Sequence, residues 1–112
     1  MKNFFLLLFV LVLFTSMFAP SAQADIGVTV TNPTNTTPNL AATYTSLALA
    51  LTDLNAVTAM TGPVILTLGA GSSETAPATG FTIGSATLNP VLSATNTVTI
   101  IKAGGVVTLN AG

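Results

Sequence analysis

Beyond residue 24 the chain carries four charged side chains, Asp25, Asp53, Glu74 and Lys102. Acid–base catalysis by a carboxylate pair needs two acids held close, in environments that push their pKa values apart. Here the acids fall at the start of a strand-like stretch, in a helix-like stretch and in a turn, with no shared motif. Each is expected to be a single solvated charge. Ser-His-Asp and Cys-His arrangements are impossible in a chain with no His and no Cys, and zinc has no imidazole or thiolate to bind. A Ser-Lys dyad would have to run through Lys102, and nothing marks a nucleophilic serine. Calcium would find carbonyls and one carboxylate, too few for a site. The glycines of "GAG" and "AGG" match neither GxxxxGK[ST] nor GxGxxG and are expected to make turns. Tyr44 and Phe81 are too scattered to form a carbohydrate platform. They are expected to pack at the start of the helix and inside a coil. The expectation is therefore no enzyme, no cofactor and no metal.

The elements that would position any site begin with an export signal. Lys2 supplies a minimal positive region, Phe4 to Phe14 an unbroken apolar core, and Ala22-Gln23-Ala24 a small-residue cleavage site before Asp25. The apolar core is shorter than the roughly 20 residues of a membrane span. Membrane contact is thus expected only before cleavage, and the destination is secreted or cell-surface. Lipoprotein acylation has no Cys to use. After cleavage one positive side chain faces three negative ones, which argues against nucleic acid and against a polybasic membrane patch. Without disulfides, stability must come from burial and backbone pairing. A domain this small buries only about 60% of its unfolded surface, so further chain or a partner is expected.

Residues 25–41 read as a short strand, "DIGVTVTN", with Ile26, Val28 and Val30 on one face, followed by a Thr/Asn/Pro-rich linker. Asn35-Thr36-Thr37 matches the short glycosylation pattern, which is weak evidence on its own. In "ATYTSLALALTDLN", Leu47, Ala48, Leu51 and Leu54 follow helical spacing, with Thr43 or Thr45 as the expected cap and Asp53 toward solvent. A helix this short forms only by packing on something. Strands are expected at "VILTL", around "GFTIG", at "TVTII" and at "VVTLN", the last after a Gly104-Gly105 turn. Alternation cannot report whether they pair parallel or antiparallel, so stacked coils and a small β-sandwich both remain open.

The stretch "TYTSLALALTDLNAVTAMTGPVILTLGAGSSETAP", continued by "TNTVTI" and "GGVVTL", resembles the N-terminal unit of large secreted surface proteins of Bacteroidetes-type bacteria. The match runs over most of residues 42–112. The resemblance implies the start of a right-handed parallel β-helix of pectin-lyase-like type, in which Leu47, Leu51 and Leu54 form a structural cap over the first coil. It also implies export and a surface destination, as for type IX secretion cargo. Polysaccharide lyases of this architecture gather acidic residues for calcium and a basic residue for proton abstraction. Lys102 stands without an acidic cluster, so no activity is carried over.

The expectation is thus a mainly β chain: residues 1–24 a signal peptide, 25–41 a strand and linker, and 42–112 a cap helix with the first coils of a β-helix that stops in mid-pattern. Its function would be structural and adhesin-like, with downstream coils or a second copy as partner. The alternatives are the front end of a secreted polysaccharide-degrading enzyme whose site lies downstream, and an immunoglobulin-like binding module.

Overall fold

A computed structural model describes residues 25–111. The expected signal peptide, with Ala22 and Ala24, lies outside the described residues. Strand β1 (Val28–Thr31) keeps the alternation of its sequence, valines buried and threonines exposed. A 3-10 turn at Pro33–Asn35 follows, entered through Asn32 at φ 60, a left-handed conformation that Asn tolerates better than most residues. Then come β2 (Thr36–Thr37), β3 (Thr43–Tyr44), helix α1 (Leu47–Asn55), β4 (Ala59–Met60), β5 (Val64–Leu68) and β6 (Ser73–Thr75). A second 3-10 turn at Asn89–Val91 precedes β7 (Val98–Lys102) and β8 (Thr108–Asn110).

The main sheet has the order β3-β1-β5-β7, and β2-β4 and β6-β8 form two-stranded sheets. Among the described residues the architecture is mainly β, with one α-helix and several sheets. Pairing is mixed. β1 runs antiparallel to β3 and β5, whereas β5 and β7 are parallel, as are β6 and β8. Cross-strand register aligns Val30, Leu66 and Ile100 on one face and Thr29, Thr67 and Ile101 on the other. On the first face Val30 and Leu66 belong to a buried cluster that also holds Leu47, Ala50, Leu51 and Leu54 of α1, and Ile100 packs against it half-buried. Threonine suits the opposite face, because it is β-branched and its hydroxyl can meet water.

Two expectations need correction. "GFTIG" forms no strand. Gly80 and Gly84 sit at φ 81 and 115, outside extended geometry and open only to glycine at little cost. The Asn55 side chain also takes the Thr82 carbonyl (2.9 Å) and the Gly84 N–H (2.8 Å), groups a neighbouring strand would use. Phe81 consequently lies in a loop, packed on the outside of the core rather than inside a coil.

The Thr/Asn/Pro-rich stretch is not a loose linker. Thr36 is buried, its hydroxyl lies 2.8 Å from the Pro38 carbonyl and accepts the Leu40 N–H at 3.1 Å, and β2 pairs with β4. Asn35 donates to the Pro63 carbonyl at 3.0 Å, and Asn96 to the Met60 carbonyl at 3.1 Å. These side-chain-to-backbone bonds tie loops to strands where disulfides are lacking, each contributing about 1 kcal/mol.

The edges of β5 are both covered by strands. Its edge on the side away from β7 is taken by β1. The interior N–H and C=O groups of a helix are paired with one another and are not free for a strand edge. Backbone pairing therefore falls to a strand, and α1 contributes apolar side chains alone.

Candidate functional site

The polar centre of the fold is the N-terminus of α1, where helical N–H groups have no intrahelical acceptor. The cap is Ser46, not Thr43 or Thr45. Its backbone is extended (φ −150, ψ 154) and its hydroxyl accepts the Leu49 N–H at 3.2 Å. Thr43 is held in β3 instead. The two preceding N–H groups, of Leu47 and Ala48, donate to Glu74 Oε2 at 2.7 Å and Oε1 at 3.0 Å. Glu74 reaches them from the middle of β6, and Oε2 also accepts the Ile26 N–H at 3.3 Å.

Glu74 is therefore not a solvated charge. It is 3% exposed and joins three segments distant in sequence. The charge is stable there because bonds from N–H to a carboxylate are stronger than neutral ones and the helix dipole favours an anion at this end. Sequence reasoning missed it because the partners are backbone groups, which leave no side-chain signature. The one available signal was an acid in a polar turn with no base to pair it.

The remaining ionisable groups stand apart. Asp53, in the last turn of α1, is exposed and accepts the Tyr44 hydroxyl at 2.9 Å. That hydroxyl in turn accepts the Ala41 N–H at 3.0 Å. Partial burial pushes the Tyr44 pKa up, the Ala41 N–H pulls it back, and the Asp53 carboxylate raises it further. Tyr44 thus packs beside the helix and fixes one of its acids. Asp25 is exposed, and Lys102 donates to the Gly105 carbonyl at 3.0 Å. Among the described residues no cluster of three or more potential metal ligands occurs. Nor is any helix there long and apolar enough to cross a membrane.

Two surface features remain. A half-open cleft of about 240 Å³ separates α1 from the loop at 77–82, lined by Leu51, Thr52, Pro77 and Phe81 among others and by no ionisable group. Beside it Asn55 acts as a clamp. Its side chain holds Thr82 and Gly84, and its carbonyl accepts the Ser85 and Thr87 hydroxyls at 2.6 and 2.9 Å. Asn55→Ala removes both side-chain bonds, with an expected loss of about 1–3 kcal/mol. Hydrogen exchange at Gly84 should quicken, while exchange in β1 and β5 should move only with global stability.

The second feature is an open edge. β7 and β8 each end their sheets. Burial falls across the ladder: Leu66 is fully buried, and its register partner Ile100 is only half-buried. Ile101, Val106 and Leu109 are exposed. This edge presents unpaired backbone groups beside apolar side chains, the arrangement by which strands recruit further strands.

Of the residues expected to matter, Leu47, Leu51 and Leu54 come together in the buried cluster, and Asp25 lies at the start of the described chain. No known protein family, curated protein or solved structure matches the sequence or the fold.

Proposed function

We propose that this chain is an exported, cell-surface or extracellular structural segment, adhesin-like and without a catalytic site of its own. In this reading α1 and β1 cap the first coils of a right-handed parallel β-helix. The observation that carries it is a shared pairing offset. Residue 64 pairs in parallel with 98, and residue 73 with 108, so two successive strands are each overlaid after about the same length of chain. The turns between them stack as well: the Gly71 N–H donates to the Val106 carbonyl at 2.8 Å, and the Thr108 N–H to the Ser72 carbonyl at 3.1 Å. Stacked coils produce such a repeat, because each coil lies on the last in register. Immunoglobulin-like sandwiches are built from antiparallel sheets, so the two parallel pairs favour coils. The scarcity of grouped ionisable side chains supports a structural role over an enzymatic one.

The β7–β8 edge is where such a segment would receive its partner, either further coils or a second copy. Residues 25–112 in isolation should accordingly self-associate in sedimentation velocity. Ile101→Lys with Leu109→Lys places charge on the edge at positions already exposed and should shift the population to monomer with an unchanged circular dichroism spectrum. A well-folded monomer before any substitution would argue for a closed domain and favour the sandwich.

A further inference from the structure

Glu74 is a buried carboxylate, and among the described residues no cationic side chain pairs with it. An ionised carboxylate offers about four acceptor positions. Oε2 uses two, for Ile26 and Leu47, and Oε1 uses one, for Ala48. One position is left on Oε1. Buried charges are ordinarily paired as well as hydrogen-bonded. Yet the one basic side chain in residues 25–112 is Lys102, which is exposed and engaged by its own turn.

A different positive charge can arise beside Glu74. The Asp25 nitrogen precedes the Ile26 nitrogen by one residue, at most about 3.6 Å away, which places it within about 7 Å of Oε2. In the precursor this nitrogen is a neutral amide. Hydrolysis between Ala24 and Asp25 breaks the C–N bond, with water giving its hydroxyl to the Ala24 carbonyl carbon and a proton to the nitrogen. A further proton from solvent makes an ammonium, since α-amines titrate near about 7.7–8.0.

We propose that signal cleavage itself completes the Glu74 site: the new α-ammonium of Asp25 pairs with the Glu74 carboxylate and latches the start of the chain to α1 and β6. The inference rests on the export reading above. It gives the fold a reason to consolidate after processing rather than before it. The Asp25 side chain is exposed and competes for the ammonium only in water, where its attraction is weak.

The test uses the chain secreted by an exporting host, labelled with nitrogen-15. Terminal sequencing should begin at Asp25, and the α-amine should titrate about one unit or more above its usual range. Glu74→Gln should return it to that range. A product retaining Ala24, with Glu74 intact, should lose most of the shift while its fold persists, which keeps the test decisive if Glu74→Gln fails to fold. An α-amine that titrates alike with and without Glu74, or alike with and without Ala24, overturns the latch. A secreted chain beginning elsewhere overturns the processing reading instead, so the two failures are distinct.

Discussion

Glu74→Gln is expected to lower stability by about 2–4 kcal/mol. The substitution preserves volume, so the loss is electrostatic and geometric. Three N–H groups converge on the two carboxylate oxygens. An amide offers one oxygen, and its NH₂ would point donors at donors. At least one N–H is left unsatisfied in a region where Glu74 is nearly inaccessible to water, and the helix N-terminus loses its anion. For a domain under 100 residues each kcal/mol moves Tm by about 4–8 °C, so a fall of about 8–32 °C should follow. Urea unfolding followed by circular dichroism measures the first quantity and a thermal scan the second. Hydrogen exchange should quicken first at Leu47 and Ala48. Glu74→Asp separates charge from reach: it keeps the anion but withdraws it by one methylene, and an intermediate loss is expected. If Glu74→Gln costs less than about 0.5 kcal/mol, as an ordinary surface change would, the carboxylate is not what joins the three segments.

Local pattern was legible in the sequence where one residue's neighbours decide its state. Val28 and Val30 against Thr29 and Thr31 announce a half-buried strand, and "VILTL" announces another. Leu47, Leu51 and Leu54 follow a helical face, and all three are buried. Pairing direction was not legible. Val64 opposite Val98 and Val28 opposite Leu68 are equally apolar, yet one pair is parallel and the other antiparallel. Alternation of period two is blind to chain direction. The strand expected at "GFTIG" failed because Gly80 and Gly84 permit positive φ and Asn55, a helical residue far upstream, supplies the competing bonds. Glu74 was misjudged for a related reason. Burial of a charge depends on backbone donors brought in by the fold, and a residue-type search sees side chains only. The absence of His and Cys and the scatter of the acids are properties of the sequence itself, and they limit the chemistry from composition alone.

Leu54→Asp is expected to have the largest effect of any single substitution on α1, at about 4 kcal/mol or more. Leu54 has no exposed surface. Removing its methyl groups would by itself cost about 2–5 kcal/mol, and an unpaired carboxylate adds a desolvation cost that the group escapes only by staying protonated. Small domains have little stability in reserve, so the variant should populate a loosened state that binds a hydrophobic dye. Thr52→Asp on the same helix should behave differently. Thr52 is exposed, and its hydroxyl merely donates back to the Ala48 carbonyl at 2.9 Å, so a change within about 0.5 kcal/mol is expected. Leu51 distinguishes burial from position. It is buried yet borders the cleft under Phe81, through which a carboxylate could reach water. Leu51→Asp should therefore fall between the other two. The order Leu54, Leu51, Thr52 in urea midpoint and dye binding tests the facial assignment of α1 residue by residue. If Leu51→Asp and Thr52→Asp were equally mild, α1 would not be packed on the core through this face. The helix would then be an appendage of the sheet rather than the apolar cover of its interior.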